Sequence, residues 1–94
     1  MYSIKNLKEE EDGKEISILL WVQTIRNMGK ISFISARDGT GQIQVVVTKK
    51  TEGSELIENI SIESALNITG ILKKDPRSKY GMEIKAEKIK ILNE

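Results

Sequence analysis

The chain contains no cysteine and no histidine. The first absence excludes disulfides and thiolate chemistry. The second removes the commonest general base and the commonest zinc ligand. No apolar run approaches the ~18 residues of a membrane span, and the opening stretch MYSIKNLKEEEDGKE lacks the apolar segment of a secretory signal. A cytoplasmic chain with no membrane partner is therefore expected. Charge of one sign is also missing: Lys plus Arg number 15, Asp plus Glu 14, and the formal net charge is +1. That balance excludes both a polybasic nucleic-acid tail and an acidic solvating chain. At 94 residues, 38% hydrophobic and 31% charged, the composition fits one small globular domain over residues 1–94 with a thin core.

What is present is strand chemistry. After a charged lead-in ending at Asp12-Gly13, residues 16–26 (ISILLWVQTIR) are rich in β-branched and aromatic residues and long enough for a bent first strand. Asn27-Met28-Gly29-Lys30 reads as a turn. Residues 31–37 alternate, with Ile31, Phe33, Ser35 and Arg37 on one face and Ser32, Ile34 and Ala36 on the other. Asp38-Gly39-Thr40-Gly41 reads as a hairpin turn, with a glycine free to take positive φ on either side of Thr40. QIQVVVTK then alternates again, Gln42, Gln44 and Val46 against Ile43, Val45 and Val47. Leu56, Ile57 and Ile60 have helical spacing, with Ser54 as a candidate cap. Residues 64–74 and 80–92 return to strand patterning, separated by a basic loop that holds the only proline. Alternation in the last strand changes parity near Glu87 and Lys88, which predicts a bulge. Five strands with one short helix between the third and fourth is the order of an all-β OB-fold, a Greek-key barrel that binds oligonucleotides across strands two and three.

Charge and surface chemistry agree with that order. The local charge is −2 over residues 1–25, +4 over 26–50, −4 over 51–70 and +3 over 71–94. The two basic stretches fall where an OB-fold meets phosphates, although a chain this charged always carries some local imbalance. Phe33 is either an outward ring on which a base stacks, or a core residue with the parity inverted. Gln42 and Gln44 can read a base edge through an amide donor and acceptor, or stand as solvated polar positions. Arg26 is either a phosphate or base contact or an ordinary surface arginine. Trp21 is expected to fill the barrel or pack at its end. Tyr80 is a second candidate for stacking. Lys73, Lys74, Arg77 and Lys79 form a candidate phosphate clamp or a solvated hairpin tip. Glu52, Glu55, Glu58 and Glu63 read as an exposed helix face, not a metal site.

The stretch DGKEISILLWVQTIRNMGKISFISARDGTGQIQVVV resembles the N-terminal anticodon-binding domain of class IIb aminoacyl-tRNA synthetases. The resemblance rests on Trp21-Val22, Arg26, Gly29, Phe33, Arg37-Asp38, Gly41 and Gln44-Val45. It extends through Glu63-Ser64, Gly70, Gly81-Met82-Glu83-Ile84 and Ala86-Glu87-Lys88-Ile89, so that it covers residues 12–92. The likeness is nearest to archaeal-type aspartyl enzymes, with lysyl and asparaginyl enzymes next. It implies that Phe33 stacks on the central anticodon uridine, that Gln44 hydrogen-bonds that base and that Arg26 supports the pocket. It also implies that the segment from Lys79 to Glu83 approaches the first anticodon base, with Glu83 as its reader. One departure is Leu20, where the family usually has glycine before the tryptophan.

The expected function is therefore binding of a tRNA anticodon stem-loop, with Lys30, Arg37, Gln42 and Lys79 supplying further contacts around Arg26, Phe33, Gln44 and Glu83. The family's catalytic domain, with its dimer interface, lies outside the resemblance. No catalysis, cofactor or metal is expected of this chain, and it is expected to be monomeric. The alternatives are a stand-alone, non-specific single-strand binder on the same face, and a synthetase-derived module that tethers a protein partner.

Overall fold

Strands β1 (Glu15–Asn27), β2 (Ile31–Asp38), β3 (Gly41–Thr48), β4 (Ala65–Lys74) and β5 (Met82–Ile91) follow the alternating segments closely, in a computed structural model that describes residues 2–62 and 64–92. Glu63, one of the expected helix-face acids, lies outside the described residues. The strands close into a barrel in the order β1-β2-β3-β5-β4, with β4 returning to β1. Only the β3–β5 pair is parallel. This is the five-stranded Greek-key barrel that the element order implies.

The core is aliphatic. Ile18, Leu20 and Val22 of β1 meet Ile34, Val45, Ile68 and Ile84 inside the barrel, all fully buried. Leu20, the departure from the family pattern, faces inward opposite Leu66 of β4. Trp21 does not fill the barrel. Because Leu20 and Val22 hold the inward positions on either side, Trp21 faces out, half-buried, in register with Arg37 and Ala65.

Two bulges set which residues face out. In β1 the register with β2 shifts between Val22 and Thr24, leaving Gln23 as an extra residue. In β5 the register with β4 runs from Thr69 opposite Lys88 to Gly70 opposite Ala86, so Glu87 is extra. This is the bulge that the change of parity predicts. The strands approach closely there. A Cβ on Gly70 would lie 2.3 Å from the backbone carbonyl oxygen of Lys85, so only glycine fits.

Each barrel end is covered. A four-residue helix, α1 (Ile4–Leu7), which the sequence does not announce, buries Ile4 and Leu7 at the β2–β3 turn. At the opposite end of β3, the helix expected around Leu56 is a 3-10 helix, Ser54–Asn59, burying Ile57. Ser54 is not its cap. Gly53 holds that position with φ +88°, and no side chain caps the helix. Glu52, Glu55 and Glu58 are exposed, as expected.

The β2–β3 turn differs from expectation in its mechanism. Neither Gly39 nor Gly41 has positive φ. The turn is held instead by Asp38, whose carboxylate accepts from Thr40 N–H (2.7 Å), the Thr40 hydroxyl (2.7 Å) and Gly41 N–H (3.2 Å). Its second oxygen accepts from Ile4 N–H at 2.8 Å, and Thr40 Oγ1 accepts from Lys5 N–H at 3.0 Å. Gly41 lies close to α1: a Cβ there would meet Ile4 Cγ2 at 3.1 Å, tighter than an ordinary contact. Partial burial pushes the Asp38 carboxyl up, but the hydrogen bonds from Thr40, Ile4 and Gly41 together hold it below its ordinary value.

Gly70→Ala should destabilise the barrel by about 1–3 kcal/mol, because backbone and not a flexible side chain must move. Urea titration should give a lower midpoint with an unchanged slope. A depressed native pKa means that stabilisation from Asp38 is complete above the ordinary carboxylate pKa and is lost as pH falls through the native value. Asp38→Ala should therefore cost about 1–3 kcal/mol at neutral pH. It should also remove part of the stability loss that the parent chain shows below about pH 4, measured by thermal melts across pH.

Candidate nucleic-acid interface

The outward faces of β1, β2 and β3 and the loop between β4 and β5 meet at a cleft of about 480 Å³. It is lined by Thr24, Ile25, Arg26, Phe33, Ser35, Gln44 and Lys79. Four of the residues singled out by sequence, Arg26, Phe33, Gln44 and Lys79, are thus together. The bulge at Gln23 accounts for Arg26. Before it, even-numbered β1 residues face the core; after it, Ile25 pairs with inward Ile34 and Arg26 pairs with outward Phe33. The Arg26 guanidinium carbon lies 5.3 Å from the Phe33 ring centroid, a cation–π arrangement that holds a cation beside a half-exposed aromatic face.

Gln44 lies opposite Ser35 on β2, diagonal to Phe33, and beside Glu83 on β5. Its Nε2 donates to the Glu83 carboxylate at 3.3 Å. An ionised carboxylate only accepts, so this contact is satisfied in one amide orientation: nitrogen toward Glu83, oxygen away. Glu83 itself does not line the cleft.

The loop over residues 75–81 covers one rim. Tyr80 donates its hydroxyl to Ser35 Oγ at 3.5 Å, and Lys79 Nζ sits 5.4 Å from the Tyr80 ring. Asp75 accepts from Arg77 N–H at 2.9 Å and from its Nε at 3.3 Å; those backbone and guanidinium donors hold the Asp75 carboxyl below its ordinary value. The expected phosphate clamp is therefore divided. Arg77 pairs within its own loop, Lys74 donates to the Lys8 carbonyl at 2.7 Å, and Lys79 alone of the four reaches the cleft.

Three further candidates stand apart. Gln42 donates to the Gln23 side chain at 3.0 Å, tying β3 to the bulge. Arg37 is half-buried between Trp21 and Gln42 in register. Lys30 is exposed at the β1–β2 turn, where Gly29 takes φ +85° and its N–H donates to Asn27 Oδ1 at 3.1 Å. Thr24 and Ser35 line the cleft without having been singled out. Ser35 was findable, since it alternates with Phe33; Thr24 was not, because its orientation depends on the bulge. A cleft with one aromatic, one oriented amide, two cations and hydroxyls suits a nucleobase with adjacent phosphate.

Comparison with known proteins agrees with that chemistry. Residues 16–92 match the family model for the OB-fold nucleic acid binding domain of the tRNA anticodon type. The aspartate–tRNA(Asp/Asn) ligase of Saccharolobus solfataricus is 36% identical over 90 residues, covering 96% of this chain and 21% of the ligase. The asparagine–tRNA ligase of Desulforamulus reducens is 39% identical over 92 residues, again 96% of this chain and 21% of the ligase. The crystal structure of asparaginyl-tRNA synthetase from Pyrococcus horikoshii complexed with asparaginyl-adenylate superposes with a TM-score of 0.84 at 35% identity, over 98% of this chain and 22% of that one. The chain thus spans about a fifth of the length of these relatives.

Proposed function

The chain belongs to the family of OB-fold nucleic acid binding domains of the tRNA anticodon type, and we propose that it captures a tRNA by its anticodon loop, with the central uridine in the Arg26–Phe33–Gln44 cleft. The observation that carries this reading is the pairing of an outward, half-exposed Phe33 with Arg26 beside an amide held in one orientation. Single-stranded bases are recognised by stacking on aromatic rings and by hydrogen bonds to their edges. Phe33 supplies the stacking surface. Gln44 presents its oxygen to the imino N–H of uracil, a position where cytosine offers only an acceptor. Glu83 fixes that choice by holding the amide nitrogen. Arg26 and Lys79 supply charge for the flanking phosphates, with Lys30 and Arg37 contributing at longer range. Gln42 is a rim contact. The ligase activity belongs to the much longer relatives; with neither histidine nor cysteine, we assign this chain binding and no chemical step. It acts in solution, without a membrane, cofactor or metal, and as a monomer. A general single-strand binder would use the same face without base preference.

The deciding experiment is titration of the chain with short anticodon stem-loops carrying central uridine, central cytidine or a scrambled loop, at fixed salt. Uridine should bind most tightly; equal affinities would assign a general single-strand binder. Phe33→Ala should weaken binding by about 1–3 kcal/mol with the thermal melt unchanged. An intact fold with unchanged affinity would remove Phe33 from the site. Gln44→Ala should narrow the gap between uridine and cytidine. Glu83→Gln should narrow it too, because a neutral amide can accept or donate and frees Gln44 to turn over; full discrimination in that variant would show that Glu83 does not set the orientation.

A further inference from the structure

A second groove, of about 630 Å³, opens where β3 peels away from β5. Their pairing ends at Val46 and Lys85, and beyond it the Thr51 hydroxyl donates to the Ala86 carbonyl at 2.7 Å. The floor is apolar, formed by Ile31, Ile71 and Ala86, and the rim carries Lys30, Lys49, Lys50 and Lys85 with one acid, Glu87. Ile31 is 40% exposed, unusual for an isoleucine in a strand. Three cations elsewhere pair with carboxylates: Lys14 with Glu10, Arg77 with Asp75 and Lys88 with Glu52. Among the described residues, none of the four groove lysines has a carboxylate partner. Four lysines to one acid around an apolar floor, with Glu55 and Glu58 nearby only on the Lys30 and Lys49 side, call for an anionic occupant that also offers apolar surface.

We infer that this groove carries the phosphodiester backbone of nucleotides flanking the base on Phe33, so that the RNA runs along β2 from Phe33 across Ile31 and into the lysine-rimmed groove. The inference rests on the anticodon-binding reading and adds a track that the reading does not need. Continuity favours RNA over an acidic protein. Ile31 and Phe33 share the outward face of β2 two residues apart, about 7 Å along the strand. Val46 and Thr48 follow the same face on β3 in register with them. A strand of RNA leaving the cleft on this side meets the lysines with its phosphates and the isoleucines with its sugars and base faces.

The test compares two triple variants with the same change in charge. Lys49→Ala, Lys50→Ala and Lys85→Ala together empty the groove rim. Lys5→Ala, Lys8→Ala and Lys90→Ala remove three lysines that do not line it. Thermal melts establish that both fold. Affinity for the central-uridine stem-loop is measured against salt concentration for parent and variants. A single strand loses about 0.7 from the slope of log affinity against log salt for each phosphate contact removed. The groove variant should therefore flatten that slope by about 2 and bind several-fold more weakly, while its preference for uridine over cytidine persists. The control should keep most of the parental slope. Equal loss in both variants would reduce the effect to net charge and overturn the track. An unchanged slope in the groove variant, with Phe33→Ala still damaging, would overturn the track and leave the cleft standing. The same result with a polyglutamate peptide bound by the parent and not by the groove variant would give the groove to an acidic protein. Failure of the parent to bind any stem-loop would overturn track and cleft together.

Discussion

A closed barrel of five strands leaves each strand residue two destinations, the core or the surface, and the alternation of the chain decides between them. The place of Arg26 in the cleft depends on how that alternation is interrupted in β1. In β1, Ile16, Ile18, Leu20 and Val22 are all buried. Without an interruption Arg26, four residues further on, would share their side and place a guanidinium among aliphatic residues, a burial that costs far more than one strand contact returns. The extra residue at Gln23 turns Arg26 outward and sets it across from Phe33. The extra residue at Glu87 does the corresponding work in β5, keeping Ile84 and Ile89 both in the core. Bulge and glycine act as a pair there, since Gly70 lets the β5 backbone come closer than any Cβ permits.

The small supply of aromatic residues has a consequence for the same surface. Among the described residues, the buried core contains no aromatic side chain. The barrel is filled by isoleucine, leucine and valine, with one end sealed by α1 and the other by the 3-10 helix. Aromatic rings are thereby left for the outside. Tyr2 packs partly against the core, Trp21 lies beside Arg37, Tyr80 reaches Ser35 and Phe33 sits with Arg26. Phe33 is the ring whose neighbours form a cleft with an amide and two cations, and the proposed binding site rests on that grouping.

The fold was legible because its signals are local. Alternation located all five strands to within two residues at each end, and the parity change in the last strand located the Glu87 bulge. The Gln23 bulge was not visible: TIR follows WVQ with no break in β-branched character, and only pairing with β2 reveals the extra residue. The α1 helix has too few residues to show a period; its cap, Ser3, is local, but the Asp38 carboxylate that accepts its Ile4 N–H lies 34 positions away. The turn at Gly39 and Gly41 stands where the glycines imply, but neither takes positive φ; Gly41 lies close to Ile4, and a Cβ at Gly39 would meet nothing. Trp21 does not fill the barrel, because Leu20 and Val22 on either side of it hold the inward sites. At the cleft, residue types and face were readable, but partners were not. That Arg77 and Lys74 are engaged elsewhere, and that Glu83 holds Gln44, are facts of tertiary structure.

Glu83 bears on how affinity and selectivity are divided. A carboxylate on a surface that meets phosphates repels them, and within the ~8 Å Debye length at physiological salt that repulsion is felt. A chain selected for tight, indiscriminate binding would gain by replacing it with a neutral or basic residue. Its position beside Gln44 makes sense if the amide must not turn over, because a glutamine free to flip presents either an acceptor or a donor and distinguishes the two pyrimidines poorly. The repulsion is offset locally by Arg26 and Lys79 at the cleft and by Lys85 two residues along β5. A net charge of +1 over the chain therefore does not describe a weakly basic surface. It is the sum of acidic and basic segments, in which four groove lysines share their rim with Glu87 and Glu83 stands beside Gln44.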